Sequence, residues 1–260
     1  MPEGDVGALG VAAALILVAV AIALSVRAGL GLERSLAWAT VRALVQLLIV
    51  GVALAAVIDP GRPLALSWLW VAVMVLFAAD VARRRAPEVP GLFGLALAAF
   101  SATGLVTLGV VFGLGIFPLE GRTLVPIAGL ATGSAMSATV LAARRIVEEL
   151  RDKRLEVEAR LALGQPSGRA ARPYVRTALR AALVPQIETT KAVGIVVLPG
   201  AMTGLILAGV DPVDAVLVQA VVMFLVLGAT ATATSVIAMG LVRRLFTDDH
   251  RLVRLPRPPD

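Results

Sequence analysis

The chain has 260 residues, of which 58% are hydrophobic and 16% are charged, and its formal net charge is +6. Ordinary soluble domains contain about 25% charged residues, so this composition excludes a soluble enzyme or binding domain and indicates an integral membrane protein. The sequence has no cysteine and one histidine, His250, near its end. Disulfides and Cys/His metal sites are thereby excluded.

Apolar stretches that can cross the hydrocarbon layer as α-helices recur along the whole chain. A spanning helix needs about 20 mostly apolar residues. We therefore predict an all-α, multi-pass protein of the cell (inner) membrane, built as one transmembrane domain over residues 1–260. Seven spans are predicted, at residues 7–26, 36–58, 64–82, 91–117, 124–143, 190–209 and 213–241.

Lysine and arginine are divided unevenly between alternate loops. The loops after spans one, three and five and the final tail hold nearly all of them, whereas the opposite loops hold only Arg62 and Arg122. Because basic loops stay in the cytoplasm, the amino terminus is expected outside and the carboxyl terminus in the cytoplasm. That orientation requires an odd number of spans, which seven satisfies.

Two charged residues fall inside predicted spans. Arg42 lies about two turns into span two, and Asp80 lies near the cytoplasmic end of span three. An ionisable group at membrane depth is costly unless it is paired or wet, and both residues are expected at similar depth. We predict a structural pair between them; the alternative is that each snorkels separately to the interface.

The most polar part of the chain, residues 144–190, is named here the polar segment. Its apolar residues Ile146, Leu150, Val157 and Leu161 recur at helical spacing, which predicts that span five continues as an amphipathic helix to about residue 163. The Gly/Pro-containing run 164–168 should end it. A second, basic helix is predicted to begin at Pro173 and to end or kink at Pro185. Its predicted apolar stripe is Val175, Leu179 and Leu183, and its basic stripe is Arg172, Arg176 and Arg180. This helix could lie against acidic headgroups or bind a soluble partner.

The run Glu158-Ala159-Arg160-Leu-Ala-Leu-Gly164 resembles the core of the cytoplasmic coupling loop of ABC importer permeases, with Arg160 replacing the second alanine. A rigid knob of this kind can fit a groove on an ATP-binding subunit. The resemblance makes residues 144–190 a cytoplasmic coupling segment. Its candidate partner-coupling residues are Glu158, Ala159, Gly164, Pro173, Arg176 and Arg180.

The run Leu198-Pro-Gly-Ala-Met-Thr-Gly204, followed by Asp211-Pro212 and Gln219, is similar to the signature of the FetB-type permease family. That family includes bacterial iron-export permeases and the plant aluminium-sensitivity membrane protein. The resemblance covers nearly the whole chain. It implies a homodimeric, seven-span permease subunit that works with a separate cytosolic ABC ATPase and, in the bacterial members, exports iron.

The same run has a physical interpretation of its own. Pro199 breaks a helix ladder, and Gly200 and Gly204 leave space beside the break. A broken helix can act as a transporter hinge or line a polar pathway, or it can be a static kink. The candidate hinge or pathway residues are Pro199, Gly200, Met202, Thr203 and Gly204.

Glu188 and Lys191 stand one turn apart just before that run. They form either a gate for a cation or a self-neutralising pair at the interface, and the pair is the favoured interpretation.

The chain lacks the glycine-rich phosphate-binding loop of ATPases. We therefore expect no cofactor bound by this chain, with ATP and Mg²⁺ in the partner subunit. No catalytic triad or metalloprotease motif is present, so it is not expected to be an enzyme. The sequence identifies no metal ligands. Membrane lipid is an expected partner, and nucleic acid is not. The alternatives are a stand-alone secondary transporter or channel, and a non-transporting membrane scaffold.

Overall fold

The computed structural model describes residues 8–59, 61–194 and 198–253, which fold into α-helices without a sheet. By contact density the chain divides after Asp59 into two compact units. The helices of these described residues are α1 (Ala8–Ala28), α2 (Glu33–Val57), α3 (Leu64–Arg85), α4 (Leu92–Gly113), α5 (Gly121–Asp152), α6 (Arg154–Ala162), α7 (Ser167–Ala192), α8 (Gly200–Leu207) and α9 (Pro212–Leu245).

The first unit is a helical hairpin of α1 and α2. Its turn is tied by Ser25, whose hydroxyl donates to Glu33 Oε1 at 2.9 Å and accepts from the backbone N–H of Leu32 at 3.2 Å. Most other side chains of the two helices are exposed and apolar, as expected of surfaces that face lipid.

The second unit packs α3, α4, α5, α7 and α9 around a core of small side chains. Ala79, Ala96 and Ala135 are completely buried in it. Small residues let membrane helices approach closely, where packing replaces the hydrophobic drive. At Gly129 a methyl group would come within 2.8 Å of Cε at the flexible end of the Met74 side chain, so α3 and α5 approach closely there and an alanine would require Met74 to shift.

Six helices among the described residues are long and apolar enough to cross a membrane. They coincide with predicted spans one to five and seven, which confirms an all-α, multi-pass membrane protein. The predicted span at residues 190–209 is not one helix. It contains the end of α7, residues 195–197 outside the description, and the eight-residue α8. The seventh span and the orientation of the termini stay predictions.

Candidate functional site

The polar segment folds as a compact extension of α5. Ile146, Leu150 and Val157 are completely buried, as their helical spacing predicts, and Leu161 packs partly against the same core. The predicted continuous helix is wrong in one detail, because α5 ends at Asp152 and α6 begins at Arg154. A straight and a slightly interrupted helix share the same apolar spacing, so periodicity could not reveal the break.

The second helix, α7, is longer at both ends than predicted. It begins at Ser167 instead of Pro173, and it continues through Pro185 to Ala192. Each internal proline forfeits one backbone hydrogen bond. Ala171 and Ala182, which precede the two prolines, are both buried.

The face that α7 buries is not the predicted one. Ala170, Ala171, Tyr174, Ala178 and Ala182 point inward and pack against the core formed with α5 and α9. The larger aliphatic residues of the predicted stripe lie at the margin of that face. The recurrence of alanine at helical spacing was the signal that could have identified this face, but alanine carries little weight in a hydropathy pattern.

Gly164 ends α6, as predicted. Its backbone has φ +82°, a conformation that costs other L-residues about 1–2 kcal/mol. The Gly164 N–H bonds to the Leu161 carbonyl at 2.9 Å, and the Gln165 N–H bonds to the Arg160 carbonyl at 3.1 Å. This pair of bonds is the Schellman termination, and it fixes how the chain turns from α6 into α7.

Polar contacts join α6 to α7 at their exposed edge. Glu156 accepts a hydrogen bond from the Tyr174 hydroxyl at 3.1 Å and forms an ion pair with Lys153 at 3.1 Å. The hydrogen bond from Lys153, followed by that from Tyr174, lowers the pKa of Glu156, and the hydrogen bond to Glu156 raises the pKa of Lys153. Arg160 stacks over the Tyr174 ring, 5.9 Å from its centroid.

The outward face of α7 is strongly basic. Arg169, Arg172, Arg176 and Arg180 are exposed, and none of their guanidinium groups has an ion pair or a hydrogen bond with the described residues. With Pro173, Leu183 and Ile187 they line a groove of about 1110 Å³, named here the outer groove. It also receives Arg160 and Gln165 from the end of α6.

The predicted partner-coupling residues therefore fall into two groups. Pro173, Arg176 and Arg180 share the outer groove. Glu158 lies outside its lining and forms an ion pair with Arg154 at 2.6 Å, and Ala159 is exposed beside it. Their role in coupling stays a prediction.

The hinge candidates lie at the start of α8. Pro199 is the residue before the helix, Gly200 is its first residue, and the Thr203 hydroxyl donates to the Pro199 carbonyl at 3.0 Å. A methyl group placed on Gly200 or Gly204 would meet no atom within 4 Å. Within the described residues, the expected close helix contact at these glycines is therefore not made; Met202 is partly buried.

The two predicted charge pairs have different outcomes. Glu188 and Lys191 pair at 2.8 Å, with both side chains well exposed. Asp80 binds Arg83 and Arg84 of its own helix at 2.8 and 2.7 Å. Arg42 belongs to the first unit and Asp80 to the second, so their pairing stays a prediction.

Two contacts that the sequence did not predict tie the α3–α4 loop to the polar side of the second unit. Arg144 on α5 forms an ion pair with Glu88 at 2.8 Å. Arg244 on α9 donates to the Gly91 carbonyl at 2.7 Å. The loop thus links α5, at the first residue of the polar segment, to the last turn of α9.

The tail after α9 is also attached to the polar segment. His250 Nδ1 lies 3.2 Å from the Ser167 hydroxyl, and Arg154 donates to the Leu252 carbonyl at 3.2 Å. The carboxyl end of α9 is therefore next to the amino end of α7, which makes these two helices antiparallel neighbours.

The chain was compared with protein families and known proteins. The model of a membrane family described as "Uncharacterised protein family (UPF0014)" matches residues 8–246. The chain belongs to this family. No solved structure matches it significantly.

Several UPF0014 relatives carry functional names. The chain is 34% identical over 244 residues to the "Probable iron export permease protein FetB" of Escherichia coli, covering 94% of this chain and 93% of the relative. It is 37% identical to "UPF0014 membrane protein STAR2" of rice, covering 88% and 80%, respectively. It is 34% identical to "Protein ALUMINUM SENSITIVE 3" of Arabidopsis thaliana, covering 86% and 82%. The family resemblance deduced from the sequence is thus confirmed.

The described residues of this UPF0014 protein offer no classical metal centre. They contain no group of three His, Cys, Asp or Glu side chains that could hold an ion. A buried polar group does occur on α9, since the Oε1 atom of Gln219, a residue only 4% exposed, has no hydrogen-bond partner.

Proposed function

We propose that the chain is the permease subunit of an ABC transporter, which acts as a homodimer with two copies of a cytosolic ATPase and exports iron or a related metal species. Family membership supports a membrane permease, and the printed name of the Escherichia coli relative supports iron export. The ATPase and its bound ATP and Mg²⁺ belong to the partner, because this chain lacks a phosphate-binding loop.

The observation that carries the proposal is the outer groove. Four arginines without a carboxylate partner are displayed on α7, whose inner face is fixed by buried alanines and Tyr174. Exposed unpaired arginines on a rigid element suit an acidic protein surface, since charge complementarity steers association and fixes its register. A partner seated there would move α7 together with the α5 extension that packs against it.

Motion of α7 would reach the candidate hinge through the chain, because α8 is the next helix after α7. Its glycine-bearing face has open space at Gly200 and Gly204, so α8 can shift without an immediate clash. Buried polar groups at membrane depth mark pathways in transporters. The candidate here is Gln219 on α9, whose Oε1 atom has no hydrogen-bond partner among the described residues. Glu188 and Lys191 stand between the groove and α8 as a possible gate.

Association with the ATPase is tested by reversing charges on the groove without disturbing its core. Deleting residues 165–172 would also remove the buried Ala170 and Ala171, so the variant Arg176→Glu/Arg180→Glu is preferable. It should lose a co-purifying ATPase of the Walker type while keeping the thermal stability of the wild type. The matched control is Arg85→Glu/Arg251→Glu, which reverses two exposed arginines elsewhere. Equal association of both variants would refute coupling through the outer groove.

Transport is tested in inside-out vesicles that contain the chain with the ATPase. ATP should drive uptake of iron into these vesicles. Iron movement that needs no ATPase would instead favour a secondary transporter or channel, and absence of any movement with an intact complex would favour a scaffold.

A further inference from the structure

A second groove runs between α7 and α9 and shares Arg172, Val175 and Leu179 with the outer groove. It has a volume of about 540 Å³, within the usual range of about 300–1,000 Å³ for small-ligand sites. It is named here the α7–α9 groove. Its apolar walls include Val175 and Leu179 of α7 and Met239 and Val242 of α9. Arg172 and Arg243 also line it, together with the small residues Ser167, Gly168, Ser235 and Ala238.

Both arginines lie at the same end of this groove. The contact between Ser167 and His250 shows that the start of α7 adjoins the end of α9. Arg172 is in the second turn of α7, and Arg243 is in the last turn of α9. Neither side chain has an ion pair or hydrogen bond with the described residues, so two guanidinium groups border one end without a counter-charge.

The position of this end relative to the bilayer follows from α9. The helix Pro212–Leu245 is long and apolar enough to cross a membrane, and it carries no charged residue between Asp214 and Arg243. Arg243 and Arg244 lie in its last turn. Arginines at the end of a span lie among the lipid headgroups. Met239 and Val242, one turn or less before Arg243, therefore lie at the level where the acyl chains begin, and Met239 is 60% exposed.

We infer that the α7–α9 groove binds one anionic phospholipid. The phosphate accepts hydrogen bonds from the two arginines, whose planar groups suit a phosphate bidentately. One acyl chain lies along the aliphatic walls. Basic pockets between membrane helices at the headgroup level are a known means of holding acidic lipids. A free phosphate shares the headgroup chemistry but makes no use of the walls.

The proposal does not rest on the coupling function, because it needs only the α7–α9 groove and its two arginines, although Arg172 also lines the outer groove. Its test is native mass spectrometry of the purified full chain with added phosphatidylglycerol or phosphatidylcholine. The wild type should retain phosphatidylglycerol preferentially. Arg172→Gln/Arg243→Gln should lower that retention about tenfold or more, since a hydrogen bond to a charged group is worth about tenfold or more in affinity.

The control Arg176→Gln/Arg180→Gln removes the same charge from the same helix and should retain the lipid. If both double variants lose it equally, the lipid is held by diffuse charge and the site does not exist. If neither loses it, the two arginines do not bind it, and the proposal is equally wrong.

A third variant separates phospholipid from free phosphate and does not depend on the arginines. Ser235 is exposed and lines the α7–α9 groove about two turns before Arg243. Ser235→Trp should fill the acyl-chain end and lower phosphatidylglycerol retention, whereas Leu217→Trp, at an exposed α9 position outside the groove, should not. Displacement of the lipid by inorganic phosphate, with no effect of Ser235→Trp, would show a phosphate site and overturn the proposal.

Discussion

The substitution Leu150→Ala tests whether the polar segment is a folded body or a loosely attached loop. Leu150 is completely buried in the core where α5 and α7 pack together. Removing a leucine side chain from such a site costs about 2–5 kcal/mol, from the lost burial and the cavity left behind. Leu155 on α6 is 82% exposed, and Leu155→Ala should change stability by about 0.5 kcal/mol or less.

The loss of stability caused by Leu150→Ala can be measured through local opening of the polar segment. A cost of about 2–5 kcal/mol raises the population of the opened segment by about 30-fold to more than 1,000-fold, whereas about 0.5 kcal/mol raises it about twofold. Cleavage follows this population when opening is fast relative to proteolysis. Trypsin has several exposed targets in α7, among them Arg169, Arg176 and Arg180.

The assay is therefore limited trypsin digestion of the detergent-purified full chain. Leu150→Ala should accelerate cleavage in the polar segment by at least about tenfold, and Leu155→Ala should leave it close to the wild-type rate. Similar rates for the two variants would show that Leu150 is not held in a packed core. Rapid cleavage of the wild type at the same sites would refute a rigid α7 altogether, and with it a mechanical role for this helix.

Three further predictions concern single residues of the same region. Gly164→Ala should destabilise the polar segment by about 1–2 kcal/mol, because Gly164 has a positive φ. Gly168→Ala, in the first turn of α7, should be neutral or stabilising. Trypsin cleavage rates measure both effects. Because the pKa of Glu156 lies below its ordinary value of 4.5, its stabilising contribution is present above that value and is lost as the pH falls through the lowered one. The stability difference between wild type and Tyr174→Phe should accordingly shrink on acidification; a constant difference would contradict it. Glu188→Gln should leave ATPase association and hydrolysis intact and impair transport if the gate exists, and unchanged transport would eliminate the gate.

The membrane helices could be predicted well from the sequence because hydropathy acts along the whole length of a span. The second predicted span, residues 36–58, corresponds to Glu33–Val57, and the third, residues 64–82, to Leu64–Arg85. The span predicted at residues 190–209 is not a single helix, and the sequence contains the physical reason. Pro199 and its neighbouring glycine favour a fresh helix start there, and hydropathy does not register such a start.

The polar segment was predicted less completely, because its packing depends on shape and on distant partners. The spacing of Ile146 and Leu150 predicted the inner face of α5, but the face of α7 that meets them consists of alanines and one tyrosine. The contacts of Arg144 with Glu88 and of Arg244 with Gly91 join positions far apart in the chain. No periodic pattern encodes such contacts, so the links from the α3–α4 loop to α5 and α9 were visible only in the structure.

The arginines of α7 looked like one stripe in the sequence, yet the structure divides them between two surfaces. A four-residue step advances a helix by about 400°, so each successive arginine is rotated by about 40° from the one before. Arg172 consequently borders both grooves, whereas Arg176 and Arg180 border only the outer one. The aliphatic stripe divides in the same way, with Leu179 in both linings and Leu183 in the outer one alone. The two grooves are therefore adjacent and share Arg172, Val175 and Leu179. The two double variants of neighbouring arginines should separate the proposed lipid binding from the proposed ATPase association.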